Sequence, residues 1–334
     1  NRVNDLLQKI WKPGLATAQK EAKDMQDLIQ QEGGNFQLAA WDWWHYAEKI
    51  RQNRFNFTEE EVKPYFSEDK VLMGAFDVAN KLFDIHFVER YDLPKYRDNI
   101  RSFEVKNDQE ETIGIFYTDY TLRPNKGGGA WMNTFRSQSK FDGNIIPLVI
   151  NVCNFPPLNE DEVSLLSFEQ VETLFHEFGH ALHGLLSEAN YPSLSGTSVT
   201  RDYVEFPSQM MENWAREPEV IKSFARHYKT GQSIPDDLLG KISEAGTFNE
   251  GFGTTEYVAA AHLDMAWHTT EEPISDVNAF ESQALNELGL IPEIATRYRS
   301  TYFGHIFAGG YSAGHYSYLW TEVLEADAFE PFRE

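Results

Sequence analysis

Apolar side chains recur at helical spacing through the first third of the chain. Leu15, Ala18, Ala22, Met25 and Ile29 share one face of a helix, and Gly33 and Gly34 stop that run. A second helical stretch, residues 36–50, is heavy in aromatics (Trp41, Trp43, Trp44, Tyr46). Thr58 followed by Glu61 fits a capping box, and Ser67 is placed to cap a third helix carrying Val71, Leu72, Ala75, Val78, Ala79 and Leu82. Core packing accounts for all of these positions.

The pattern changes near residue 101. Residues 101–105 and 112–122 read as strands joined by a turn at Asn107 and Asp108, and residues 145–153, rich in β-branched side chains, as a third. Between them, residues 123–131 hold Gly127, Gly128 and Gly129 and are too glycine-rich for regular structure. That loop lacks the spacing of a phosphate-binding GxxxxGK[ST] motif, so a nucleotide site is rejected. From Ser167 onward the pattern is helical again, interrupted by polar, glycine-rich stretches at 190–200 and 304–314. The expected fold is therefore mainly α with a small β-sheet. A helical segment, 1–100, precedes a second region, 101–334, whose sheet lies in 101–153.

Composition narrows the partners. With 334 residues, 41% hydrophobic and 14% aromatic, the chain can bury a sizeable core. Its 29 basic and 52 acidic residues give a net charge of −23, which makes nucleic acid and anionic membrane surfaces poor partners. Cys153 is the single cysteine, so no intrachain disulfide forms and sulfur supplies at most one metal ligand. No apolar run approaches the ~20 residues needed to cross a bilayer. The first residue is Asn1 rather than Met, and the chain is expected to be a fragment of a longer one. The cytoplasm is the expected compartment, with the periplasm the alternative if a leader precedes the fragment.

The chemistry centres on His176, Glu177, Phe178, Gly179 and His180, an HExxH motif. Ser167 and Gln170 resemble a capping box, and Val171, Leu174, Phe175, Phe178, Leu182 and Leu185 form one apolar stripe behind it. At 100° per residue the stripe covers an arc of roughly 100°, and the two histidines lie about 40° apart, roughly opposite it. Such a helix buries its back and presents both imidazoles to one point, as two ligands of Zn²⁺ require. Neutral imidazoles leave most of the metal's charge available, which lowers the pKa of its water from 15.7 towards about 7. Glu177, to the side of the pair, is placed to take that water's proton and return it to a leaving amine.

The third ligand is open on spacing alone. A metzincin needs Gly at 183 and His at 186; His183 and Leu186 stand there instead. His183, Glu205 and Glu212 are the candidates. His183 follows on the same helix, where three ligands would strain to converge. Glu205 opens another expected helix, although Asp202 and Glu205 also have capping-box spacing. Glu172, one turn before His176, either holds an imidazole nitrogen from behind or makes an ordinary surface contact.

Longer motifs carry a resemblance. FHEFGHALHG at 175–184, LSGT at 194–197 and RDYVEFPSQ at 201–209 resemble the thimet oligopeptidase family of zinc peptidases. GGAWM at 128–132, NVCN at 151–154, YRSTY at 298–302 and HIFAGGY at 305–311, followed by Tyr318, Leu319 and Trp320, look most like its bacterial dipeptidyl carboxypeptidase branch. The likeness runs from about residue 36 to the end of the chain.

The resemblance implies a zincin-like catalytic lobe of a two-lobed helical peptidase, with the active site deep in a channel between lobes and chains about twice this length. It implies one Zn²⁺ per chain on His176, His180 and Glu205, with Glu177 as general base. His305 and Tyr318 would stabilise the oxyanion, and Tyr311, Gly309 and Gly310 would lie in a loop that closes over substrate. His315 stands where the family often has Tyr, so no substrate role is carried to it. The implied activity is release of C-terminal dipeptides from short unstructured peptides by a monomer. An endo-acting oligopeptidase of the same family and a catalytically incomplete zinc-binding fragment are the alternatives.

Overall fold

A computed structural model describes residues 2–158, 163–271 and 273–333. In chain order the helices are α1 (Arg2–Gln31), α2 (Trp43–Phe55), α3 (Glu59–Val62), α4 (Glu68–Phe83), α5 (Phe168–Leu185) and α6 (Phe206–Arg216). They continue with α7 (Pro218–Phe224), α8 (Asp236–Ala245), α9 (Glu250–Thr269), α10 (Val277–Leu288), α11 (Gly304–Phe307) and α12 (Ser317–Arg333). The strands are β1 (His86–Glu89), β2 (Arg101–Lys106), β3 (Thr112–Thr121), β4 (Trp131–Arg136) and β5 (Leu148–Phe155). The protein is thus mainly α with one small sheet, as the pattern of apolar positions predicts. No helix among the described residues is long and apolar enough to cross a membrane.

The chain divides into two compact units, Asn1–Phe57 with Lys241–Leu319, and Thr58–Gly240 with Trp320–Glu334. Residue 100, the expected boundary, falls between β1 and β2. The second unit runs across it, because α4 packs on β1 and on α5.

In the first unit α1 buries Ala18, Ala22, Met25 and Ile29 of the stripe read from spacing, with Leu15 half-buried, and extends it through Leu7 and Trp11; α9 lies against it. The two helices touch through backbone. A Cβ at Gly251 would sit 2.5 Å from the Ala18 nitrogen. The Glu21 carboxylate accepts from the N–H groups of Gly251 at 3.0 Å and Phe252 at 2.8 Å, satisfying donors at the α9 N-terminus. α2 begins at Trp43, later than expected. Side chains satisfy the backbone before it: Gln26 bonds both the Phe36 carbonyl and the Leu38 N–H, and Asp42 accepts from the Ala39 N–H, an alternative to helical pairing.

In the second unit the sheet order is β1-β2-β3-β5-β4, with β3 and β5 parallel and the other pairs antiparallel. Two strands were not foreseen. β1 lies inside the stretch read as helical and is four residues long. β4 is an edge strand whose residues are mostly exposed or half-buried, so it lacks an apolar run. Phe76, Phe87, Phe116 and Phe178 pack between α4, the sheet and α5, with Phe76 and Phe87 stacked at 3.9 Å. Both capping boxes form: the Thr58 N–H donates to Glu61 at 2.8 Å, and the Ser167 and Gln170 groups bond reciprocally at 3.0 and 3.2 Å.

The glycine-rich loop at 123–131 is tied down by charge. Arg123 bonds both Asp119 oxygens, the buried Lys126 amine reaches the Asp119 carbonyl at 2.7 Å and also the Cys153 carbonyl, and Asn154 donates to the carbonyls of Gly127 at 2.7 Å and Gly129 at 2.8 Å. Burial pushes the Asp119 carboxyl up, but bonds from Arg123, Tyr96 and Lys126 outweigh it and bring it from 3.8 to about 2. A depressed carboxyl stabilises the fold above its unfolded pKa and loses that increment as the pH falls through the folded one. Unfolding free energies of wild type and Asp119→Asn from urea titration should therefore differ by on the order of 2 kcal/mol at pH 6 and converge as the pH falls from 4 towards 2. A gap independent of pH would contradict this.

Candidate metal centre

α5 buries its back (Val171, Leu174, Phe175, Phe178, Ala181, Leu182, Leu185) and leaves His176 half-buried on the opposite face. His180 and Glu177 are buried, at 8% and 4% exposure. The third member arrives from α6. A Cβ at Gly179 would lie 2.6 Å from the Pro207 carbonyl oxygen and 2.6 Å from Ser208 Cα, so only glycine admits this approach of the two helices. Glu205 occupies the position before α6, and its Oε2 lies 3.0 Å from His180 Nε2 and 3.3 Å from His176 Nε2. The helix begins at Phe206 with Glu205 itself at the N-cap, not at Tyr203, so Asp202 and Glu205 form no capping box.

His176, His180 and Glu205 each offer one donor atom, all within 4.8 Å of one another, a group that could hold a metal ion. Two imidazole nitrogens and a carboxylate oxygen suit a divalent cation of borderline softness. The electrostatics fit as well. Burial pushes the His176 imidazolium towards neutrality, but Glu205 and Glu212 outweigh it and hold its pKa well above the ordinary value. Burial likewise pushes Glu205 up, and hydrogen bonds from His176 and His180 overcome it and hold its carboxyl far below the usual range. Glu205 and Glu212 thus set negative charge against the imidazoles.

Glu212 accepts from His176 Nδ1 at 2.6 Å, which fixes the ring and turns Nε2 to the centre. Glu212 therefore meets the far nitrogen of His176 and is not among the three grouped donors. Glu172 does not bond an imidazole: Arg216 Nε donates to it at 2.6 Å. His183 lies outside the donor group and lines an apolar cleft of about 540 Å³ with Leu186, Phe206, Met210 and Trp214. Burial, with His180 nearby, lowers its pKa. Glu177 Oε2 is buried without a hydrogen-bond partner among the described residues. Burial raises its pKa, with His176 and His180 opposing the shift, which suits a group that must accept a proton and give it up.

The remaining expected site residues belong to the first unit. His305 sits on α11, its ring 4.8 Å from Tyr298 and 6.0 Å from Tyr311. Tyr311 and Tyr318 stack at 5.3 Å. Gly310 takes a left-handed φ of +81°, and a Cβ at Gly309 would lie 3.1 Å from the His305 carbonyl oxygen. His305, Tyr311 and Tyr318 thus gather in one aromatic cluster around the buried His315. Sequence reasoning missed the helix-spacing role of Gly179 and the ring-holding role of Glu212, although Glu212 and Arg216 stand four apart on one face of α6. Glu212→Gln should weaken metal binding about 10–100-fold in a chelator competition. Unchanged affinity would show that the bond to Nδ1 does not tune the centre.

The model of peptidase family M3 matches residues 1–334. The chain is 44% identical over 321 residues to the dipeptidyl carboxypeptidase of Escherichia coli K12, covering 95% of this chain and 47% of that protein. It is 36% identical over 338 residues to oligopeptidase A of the same organism, covering 100% and 50%. It is also 36% identical over 348 residues to the organellar oligopeptidase A of Arabidopsis thaliana, covering 100% and 44%. The chain spans about half the length of the curated relatives it matches. On the whole-length match and these identities, the chain belongs to peptidase family M3.

Proposed function

We propose that this chain carries the catalytic centre of a zinc peptidase that releases C-terminal dipeptides from short, unstructured peptides. The observation that carries the reading is the convergence of His176, His180 and Glu205 within 4.8 Å. Glu177, on the same helix as the two histidines, supplies the buried carboxylate that peptide hydrolysis needs. In this reading those three side chains hold one Zn²⁺, with Glu212 and Arg216 behind His176.

When bound, Zn²⁺ supplies Lewis acidity to the scissile carbonyl and makes the attacking water more acidic. Glu177 takes the proton of that water as its oxygen bonds the carbonyl carbon. The carbon–nitrogen bond then breaks, and the Glu177 carboxyl gives the proton to the departing amine. Its raised pKa favours the first transfer, since burial disfavours the charged carboxylate. His305 and Tyr318 donate hydrogen bonds to the oxyanion, and Tyr311, Gly309 and Gly310 contact substrate as the loop closes.

Dipeptide release is preferred over internal cleavage because identity to the dipeptidyl carboxypeptidase, 44%, exceeds the 36% to oligopeptidase A. The match to oligopeptidase A across the whole chain supports the endo-acting alternative. Digestion of an N-blocked octapeptide, read by mass spectrometry, separates them: stepwise loss of C-terminal dipeptides is expected, and internal cleavage alone would favour the alternative.

Glu177→Gln should keep one zinc per chain by elemental analysis and lose about 10²–10⁴-fold in turnover. Wild-type turnover from that variant would end this mechanism. Glu205→Ala should lower zinc content, and unchanged affinity on titration would return the ligand role to His183 or Glu212.

A further inference from the structure

One stripe of α9 grips the backbone between Tyr311 and Tyr318. Tyr257, Asp264 and His268, seven and four residues apart, share a face of that helix. The Asp264 side chain is fully buried. Its Oδ1 accepts from the Ala313 N–H at 2.9 Å, and its Oδ2 from the His315 N–H at 2.9 Å. His268 Nδ1 lies 2.8 Å from Oδ1, which gives the buried carboxylate a neighbouring imidazole. The Tyr257 hydroxyl donates to the His315 carbonyl, so His315 is held through both of its backbone groups.

This grip fixes a turn that would not persist alone. Ala313 has a φ of +51°, the left-handed region that a residue with a Cβ disfavours. Beyond it, the His315 ring is 2% exposed and packs 5.5 Å from His305 and 5.6 Å from Tyr318. A shift of the His315 backbone would displace the ring on which both side chains rest. The same turn separates the loop ending at Tyr311 from the start of α12, and so sets the stacking of Tyr311 on Tyr318.

We propose that Asp264 is a positioning residue for the reaction: through the Ala313 and His315 amides it sets the placement of Tyr318 and His305. The proposal rests on the role given above to Tyr318. In this geometry each N–H meets its own carboxylate oxygen, and an amide of the same shape offers one oxygen and turns an N–H₂ towards the other donor.

The test is a double-mutant cycle of Asp264→Asn and Tyr318→Phe in the zinc-loaded chain. It is read as kcat and KM on a peptide, with hydrogen exchange of segment 304–316 measured beside it. Asp264→Asn should speed exchange in that segment and cut kcat at least about tenfold, with KM changed less than about threefold and zinc content unchanged. In the Tyr318→Phe background the same substitution should cost less than in wild type, the remainder being the displacement of His305. Equal losses in both backgrounds, or unchanged exchange and kcat, would overturn the proposal. Wild-type kcat from Tyr318→Phe would overturn both this inference and the role of Tyr318, whereas an impaired Tyr318→Phe beside an inert Asp264→Asn would remove only the clamp. Should Asp264→Asn fail to fold, Tyr257→Phe takes its place in the cycle with a smaller loss expected, and wild-type exchange and kcat there would equally overturn the proposal.

Discussion

A side chain at residue 179 would collide with the backbone of Pro207 and Ser208, and the centre depends on that near contact. Helices separated by ordinary side chains lie 8–10 Å apart. Glycine on α5 lets the start of α6 settle directly on the helix that bears the histidines, so a carboxylate attached just before α6 reaches both imidazoles. The rest of the second unit serves this placement. Phe76, Phe87, Phe116 and Phe178 seat α5 on the sheet, and Ser167 with Gln170 fixes where the helix begins. The ligand geometry is therefore a packing property before it is a chemical one.

Burial sets the chemistry of the group so assembled. Desolvation alone would neutralise Glu205, Glu177 and the His176 imidazole, since an isolated buried charge costs several kcal/mol. The outcome differs by partner. Glu205 faces two imidazoles and stays ionised, while Glu177 has a buried oxygen with no hydrogen-bond partner and is pushed upward. One carboxylate is thereby suited to bind a cation and its neighbour to exchange a proton. In the first unit a third buried carboxylate, Asp264, does neither: its oxygens hold backbone amides. Environment divides the roles among chemically similar groups.

How much of this was legible in the sequence follows from range. His176, Glu177 and His180 share one helix, so spacing and the apolar stripe placed them together without any knowledge of the fold. Glu205 lies across a turn-rich segment from them, and spacing across such a segment carries no direction; only the family motif singled it out. Glu172 was the local guess for a partner of His176, but Arg216 takes it, and Glu212 reaches the ring from the facing helix. The α1 stripe, both capping boxes and the three central strands were readable because each signal is local. β1 is too short to show a period, β4 is an exposed edge, and the start of α2 is delayed by the side chains of Gln26 and Asp42.

The most direct test of the central claim is anomalous diffraction at the zinc edge from crystals of the zinc-loaded chain. One peak is predicted, about 2.0–2.2 Å from His176 Nε2, His180 Nε2 and a Glu205 carboxylate oxygen, with Glu212 still bonded to His176 Nδ1. A peak coordinated by His183 or by Glu212 would contradict it, as would stoichiometric zinc bound away from α5.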